Sequence, residues 1–371
     1  VHLRHVLLVV FPCNRIWSNS GSGLGQDIYV GLDGDWLLPV HFPKTEGLSL
    51  MIALAWLVYI PLQILWLPIS LLGVMWVAYK QIAVSQRMGV SQTAVEIING
   101  RWTMDVFGLR RDEPARKLAS AIPNNSIAGL WLTLFPLWLA RQIAGEPFLY
   151  PTLPSPENAG LANLVPSRTM EFDALISANS DTADQLVVLG AGLDTRVFGA
   201  LNQNIVSLFE LDQKAMQAYK REHLKKADIE TTKVQFVEVD FADPDWITGL
   251  MATSYNPKKR TIFLWEGVTL YLSESAVQNT LVALKSQAAP GSVVLADFYS
   301  QHFVNMSKGK AVNNVLEATG ESLNLGLDFS DDAEAALRAF ISSQGLALGR
   351  HQFLGAGDKK GPFMVIAELS I

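Results

Sequence analysis

The sequence predicts an α/β fold in which seven mostly parallel strands form a doubly wound sheet with helices on both faces. An N-terminal hydrophobic helical region precedes it. Three observations carry the prediction. From residue 186 onward, short apolar runs alternate with helical stretches, the spacing that right-handed crossovers produce. The first run, Leu186-Val-Val-Leu189, leads directly into the glycine turn Gly190-Ala-Gly192. About twenty residues later a second run ends in Asp212, the separation at which an acid after a strand grips ribose hydroxyls.

The strand candidates are 186–189, 206–211, 234–239, 261–265, 293–298, 347–351 and 363–369. Helices are expected at 213–227, 244–252, 273–288 and 331–343, with a short helical stretch starting at Leu193. Segment 299–330 lengthens the connection after the fifth strand, where a cap over the site fits. Upstream, Ser91 is the expected cap of an amphipathic helix over 92–102, and Ser167 of a helix over 168–176. The proline-rich stretch 145–157 reads as a linker or lid-like loop.

Four regions follow from this reading. Residues 1–46 form an irregular lead, and the initial Val is compatible with an alternative start codon or a truncated chain. Residues 47–79 contain no charged side chain. That length exceeds the roughly 20 residues of one membrane span and falls short of two with a turn. One long tilted span fits, and so does a re-entrant pair of half-helices bent between Pro61 and Pro68; a very apolar core helix is the bland alternative. Residues 80–165 read as a helical linker and substrate cap, and 166–371 as the catalytic domain. Lys80, Arg87, Arg101, Arg110 and Arg111 follow the apolar run, which places the C-terminal body on the cytoplasmic side of a membrane. A second apolar patch, 127–140, suits an interfacial segment, a tunnel wall or a core helix better than a span.

Bulk properties narrow the function. With 371 residues, 49% hydrophobic and 17% charged, the chain can bury a large core. Its net charge of -6 gives no basic footprint for nucleic acid. A single cysteine, Cys13, and six scattered histidines argue against a disulfide framework and against a metal site.

In sheets of this kind ligands lie beyond the carboxyl ends of the strands. Gly190 and Gly192 would let backbone approach a ligand, Asp212 would take both ribose hydroxyls, and Asp240 with Phe241 would meet the base. Glu266-Gly267 occupies a fourth tip, and Arg168 is the nearest upstream cation for a carboxylate. Singly these signals are weak, because an acid after a strand is often a helix cap and an arginine often forms a surface ion pair. The third glycine position of a dinucleotide fingerprint is Thr195. A ligand with a ribose but no phosphates therefore fits best, and S-adenosyl-L-methionine is the common one.

Together, Leu189-Gly-Ala-Gly-Leu-Asp-Thr-Arg196, Phe209-Glu-Leu-Asp212, Asp240-Phe-Ala-Asp-Pro-Asp-Trp246 and Trp265-Glu-Gly-Val-Thr-Leu-Tyr-Leu272 resemble the successive signatures of the leucine carboxyl methyltransferase-like family. Arg168-Thr-Met-Glu-Phe-Asp173 is similar to that family's arginine-containing helix, and Gly320-Glu-Ser-Leu-Asn-Leu-Gly326 to its late loop. The likeness covers about 165–371, with a fainter echo at Ser91-Gln-Thr-Ala94. It implies a class I (Rossmann-like) methyltransferase fold and transfer of a methyl group to a carboxylate or hydroxyl oxygen. By the same resemblance, Arg168 would bind the methionine carboxylate of the cofactor and Glu266 its amino group. Gly190 would contact the cofactor, Asp212 the ribose, and Asp240 and Phe241 the adenine. Glu210 is a second choice for the ribose, and Tyr271 a candidate catalytic residue that orients the acceptor.

The apolar N-terminal region departs from soluble members of that family, so the expected acceptor is a lipophilic small molecule or a membrane-proximal protein. A carboxylate acceptor needs no general base and no histidine is placed to serve as one, which favours ester formation. Two alternatives are a Rossmann-type NAD(P)-dependent oxidoreductase and a membrane-tethered, non-catalytic binding protein.

Overall fold

In the computed structural model the described residues are 16–18, 27–32, 36–41, 46–146, 148–199, 205–307, 322–355 and 361–371. The chain divides into two units, one of residues 1–79 with 126–152 and one of 80–125 with 153–371.

In the first unit, strands β1 (Ile16–Ser18), β2 (Asp27–Leu32) and β3 (Trp36–His41) pair antiparallel, where the sequence suggested irregular chain. The runs Asp-Ile-Tyr-Val-Gly-Leu and Trp-Leu-Leu-Pro-Val-His are rich in the β-branched, aromatic and aliphatic residues that suit strands, a local signal weaker than the helical periodicities that follow. Helix Glu46–Tyr79 runs unbroken through Pro61 and Pro68, so the chain is not bent into two half-helices there. Helix Ile127–Ala144 is four residues longer than its apolar patch. Ser126 caps it by accepting the Gly129 N–H, and Gly145 closes it in the left-handed conformation.

The two helices pack antiparallel through small residues. A Cβ on Gly73 would lie 2.7 Å from the Gly129 carbonyl oxygen, and one on Gly129 would lie 2.8 Å from Val77. The Trp66 indole N–H donates to the Leu132 carbonyl at 2.9 Å, and Phe148 packs edge-on against Trp56 and Tyr59. Both helices are long and apolar enough to cross a membrane by length and composition.

The second unit contains the sheet, made of β4 (Gln185–Leu189), β5 (Ser207–Asp212), β6 (Val234–Glu238), β7 (Thr261–Trp265), β8 (Val293–Tyr299), β9 (Ala347–Leu354) and β10 (Met364–Ser370). Their order is β6-β5-β4-β7-β8-β10-β9. The first five are parallel, and β10 runs antiparallel to both β8 and β9. All seven expected strands are present. Alternation builds a core on each face: Val187, Leu189, Phe209 and Leu211 pack on one side, Leu186, Val188, Leu208 and Leu264 on the other. The strand order reverses at β4, with β5 and β6 on one side and β7 and β8 on the other, so the crevice at its carboxyl end is the place for a ligand.

The short helical stretch expected from Leu193 takes the form of turns followed by a 3-10 segment, Arg196–Phe198. Ser167 lies inside helix Leu164–Ser180 and does not cap it, because the helix starts a turn earlier with Pro166 in its first turn. Ser91 does cap helix Gln92–Val106, accepting the Ala94 N–H at 3.0 Å. Residues 80–125, expected as part of a linker or cap, fold in the same unit as the sheet.

Candidate functional site at the strand tips

The glycine turn sets the geometry. Gly190 and Gly192 have φ of +65° and +45°, a region that favours glycine. A Cβ on Gly190 would lie 2.4 Å from Val268 Cγ2, so the absent side chain makes room for Val268, a packing reason for glycine beside the expected ligand clearance. At Gly192 the nearest side chain is Ala94, 3.6 Å from a virtual Cβ. The Ser91-Gln-Thr-Ala94 segment thus reaches the turn.

Asp212 ends β5 and is half-buried. Its Oδ2 accepts the Gly192 N–H at 2.6 Å and its Oδ1 the Gln213 N–H at 2.7 Å. Burial raises its pKa, opposed by those two bonds and by Lys220. A carboxylate offers about four acceptor positions, so two remain for ribose hydroxyls. Asp240 is exposed, and its Oδ1 accepts the Ala242 N–H at 3.0 Å, closing a local turn. Next to it, the Phe241 ring is buried in the core, edge-on to Trp246 with centroids 5.0 Å apart. Glu210 is not available to a ribose. It is fully buried and accepts from Lys220 Nζ at 2.7 Å, and that ammonium also donates to the Asp194 carbonyl at 2.6 Å. Burial pushes Glu210 up to about 7, with Lys220 opposing.

Glu266, just beyond β7, receives three guanidinium groups. Arg101 Nη2 donates at 3.1 Å, Arg168 Nε at 3.0 Å, and Arg196 Nη1 makes a third, short contact. Burial alone would raise this carboxyl, but Arg196, Arg101 and Arg168 outweigh it and hold it at about 2. Arg168 Nη1 also donates to the Tyr299 hydroxyl at 2.5 Å and lies 3.7 Å from Asp297. Arg168 is therefore a buried member of a network and not a surface ion pair. Burial lifts Asp297 to about 6, opposed by Arg168 and by the Gly267 N–H, which donates to it at 2.9 Å.

The sequence alone assigned no place in the site to Arg101, Asp194, Arg196, Asp297 or Tyr299. Arg101 comes from helix Gln92–Val106 and meets Asp194 at 2.8 Å. Arg196 joins Asp194 at 2.6 Å to Asp173 at 2.7 Å. Burial works against ionising Asp194, but Arg101 and Arg196 keep it well below the usual carboxylate range. Thr195 is fully buried and its hydroxyl donates to Asp112 at 3.0 Å, tying the turn to the start of helix Glu113–Ala121. Charged residues in a run as apolar as Leu186–Phe198 were the available signal, since such groups stay buried only when paired. Arg101 Nε is buried without a hydrogen-bond partner.

Tyr271 closes the 3-10 turn Thr269–Tyr271 and is half-buried beside the core. Asn324 ties the late loop to that turn: its N–H donates to the Leu270 carbonyl and its side chain to the Tyr271 carbonyl, both at 2.7 Å. Residues 320–321 of that loop lie outside the described residues. The tips of β4, β5 and β7 thus bring together Gly190, Gly192, Asp212, Arg168 and Glu266. Among the described residues, no cluster of three or more His, Cys, Asp or Glu side chains could hold a metal ion.

Residues 137–285 match the family described as Leucine carboxyl methyltransferase. A protein of Mycobacteroides abscessus, named by inference an S-adenosyl-L-methionine-dependent methyltransferase, is 33% identical over 138 residues, covering 37% of this chain and 45% of its own. One of Streptomyces avermitilis with the same description is 34% identical over 165 residues, covering 42% and 58%. The chain spans about half the length of such relatives. Among solved structures, a DUF574 family protein from Streptomyces avermitilis has a TM-score of 0.41 at 14% identity, covering 57% of this chain and 84% of its own. An O-methyltransferase family protein from Burkholderia thailandensis has 0.37 at 12%, covering 55% and 56%. Residues 137–285 are thus similar to leucine carboxyl methyltransferases, and the chain is similar in sequence to proteins described as S-adenosyl-L-methionine-dependent methyltransferases.

Proposed function

We propose that the protein is an S-adenosyl-L-methionine-dependent O-methyltransferase that acts at a membrane on the carboxylate, or hydroxyl, of a lipophilic small molecule or a membrane-proximal protein. The observation that carries this reading is the pairing of Asp212 with the Gly192 N–H at the tips of β5 and β4. It leaves carboxylate acceptor positions beside a positive-φ glycine turn, inside the segment that matches the family. Among the described residues the turn after Gly192 enters a 3-10 segment and not an α-helix, which supports a ligand without a diphosphate.

The site residues fit such a cofactor. Asp212 would hold the ribose hydroxyls, Asp240 and Phe241 would adjoin the adenine, and the turn at Gly190 and Gly192 would border the sulfur. Glu266 stays ionised at neutral pH and would take the amino group. Arg168 would hold the carboxylate, and the unpaired Nε of Arg101 is a second donor for it. When bound, the cofactor supplies a methyl group already activated on a sulfonium. The chain's own task is then alignment and exclusion of water. Tyr271, held by the late loop, would orient the acceptor oxygen, and a carboxylate acceptor asks for no base.

The apolar surface of helix Glu46–Tyr79 supports a membrane location, with the catalytic unit on the cytoplasmic side by the distribution of basic residues. The test is incubation of detergent-solubilised protein with radiolabelled cofactor and a native lipid extract, alongside calorimetric titration with S-adenosylmethionine and with NAD. Base-labile label in the extract is the expected product. Binding of NAD without binding of S-adenosylmethionine overturns the reading.

A further inference from the structure

We propose that helices Glu46–Tyr79 and Ile127–Ala144 lie together in the plane of a single membrane leaflet, so that the chain is anchored monotopically and does not cross the bilayer. This rests on the membrane location proposed above and specifies its form.

The exposed face of the long helix is the first observation. Leu50, Leu57, Ile64, Leu65 and Leu72 are between 58% and 79% exposed, and they line one side of the helix with Leu54, Met75 and Trp76. Ala55, Tyr59, Gln63, Ser70, Val74 and Val77 on the other side are buried. A helix at a water interface places polar residues outward. From Leu50 to Trp76 the outward face is apolar, while Gln63 and Ser70 are buried on the opposite side. That inversion suits hydrocarbon as the medium on the outer face. Helix Ile127–Ala144 is buried to a greater extent and serves as the inner partner.

Connectivity then decides between spanning and lying flat. Residues 126–152 leave the sheet-bearing unit after 125 and rejoin it at 153. That unit is one fold across the insertion: Arg101 before it is ion-paired with Asp194 and Glu266 after it, and Asp112 accepts from Thr195. Residues 125 and 153 therefore lie on the same side of any membrane. A crossing by Ile127–Ala144 would leave residues 145–152 to return. Fully extended, eight residues reach about 26–29 Å, short of the ~30 Å hydrocarbon core, and their backbone would be bare in lipid. This helix does not cross.

The long helix is bound to it. Contacts run from Gly73 with Gly129, through Trp66 with Leu132, to Trp56 and Tyr59 with Phe148. Residues 56–77 thus share the depth of a segment that stays on one side. Only residues 46–55 extend past the pairing, about 15 Å of helix, half of what a crossing needs. An in-plane helix has no such length requirement, and its apolar face would sink about 5–10 Å into one leaflet.

The experiment uses the full chain with Cys13→Ser and single cysteines, reconstituted in vesicles of phosphatidylcholine and phosphatidylglycerol. Nitroxide labels at Leu50→Cys, Leu57→Cys, Leu65→Cys and Leu72→Cys report depth by their relative accessibility to oxygen and to a water-soluble nickel chelate. Equal depths at the four positions are expected. A progression from one surface through the midplane to the other, about 33 Å over 22 residues for an upright helix, overturns the in-plane arrangement while leaving the membrane location intact. In the native membrane, an impermeant maleimide should reach Glu46→Cys and Lys117→Cys from the same side; reaction from opposite sides also overturns it. If the protein does not float with the vesicles, or if the four labels meet the nickel chelate freely or are shielded by a second copy, the membrane location itself fails.

Discussion

Replacing Asp212 by Ala removes two carboxylate oxygens that in this structure each accept one backbone N–H, Gly192 at 2.6 Å and Gln213 at 2.7 Å. If the remaining acceptor positions hold the two ribose hydroxyls, the variant loses two hydrogen bonds to a charged group. At about 1.5–3 kcal/mol each, that is about 3–6 kcal/mol, or about 10²–10⁴ in affinity for S-adenosylmethionine. Asp212→Asn is the sharper probe. Its amide oxygen can serve one backbone donor, but its NH₂ must then face the other N–H, so one ribose contact and one turn contact are lost together. A loss of about 10–150-fold is expected, between wild type and the alanine variant. Isothermal titration with the cofactor reads both, and the far-ultraviolet circular dichroism spectrum checks that the sheet survives. If both variants bind within about threefold of wild type with unchanged spectra, Asp212 is only a brace for the turn and the proposed cofactor placement is wrong.

Three further outcomes follow from the site. Glu266→Gln leaves Arg101, Arg168 and Arg196 around an uncharged amide; loss of one partner from a buried ionic network costs about 3–5 kcal/mol, which a drop in urea midpoint should show. Gly190→Ala forces a left-handed alanine against Val268, costing about 1–2 kcal/mol in backbone strain and about 1–3 in overpacking. Adding Val268→Ala should recover the second part only, and an additive double mutant in the same denaturation assay would refute the packing account. For Glu210 the folded pKa of about 7 lies above the usual 4.5, so its stabilising contribution is complete below pH 4.5 and is lost as pH rises through 7. Glu210→Gln should flatten the decline in urea midpoint between pH 4.5 and 7, and an unchanged slope would place the titrating group elsewhere.

Much of this was readable in the chain because it is local. Apolar runs of four to seven residues punctuated by glycine or an acid specify strands and their tips, and a stretch from Gly47 to Tyr79 without a charge declares its own apolarity. The positions of Gly190, Gly192, Asp212 and Glu266 at strand ends follow from the same alternation. Pro61 and Pro68 left one long helix and a bent pair equally open in the sequence, and the helix carries both without breaking.

What only the fold decided is which distant charges meet. Arg101 lies 93 residues before Asp194 and 165 before Glu266, so no periodicity joins them. Burial makes the pairing obligatory, and the chain path alone chooses the partners. The same holds for Glu210, the second choice for the ribose in the sequence, which Lys220 ten residues later holds instead. Whether an apolar helix crosses a bilayer is also set by chain path, because the chain before residue 126 and after residue 152 belongs to one folded unit. Hydropathy measures a segment's solvent preference, and topology fixes where its ends can go.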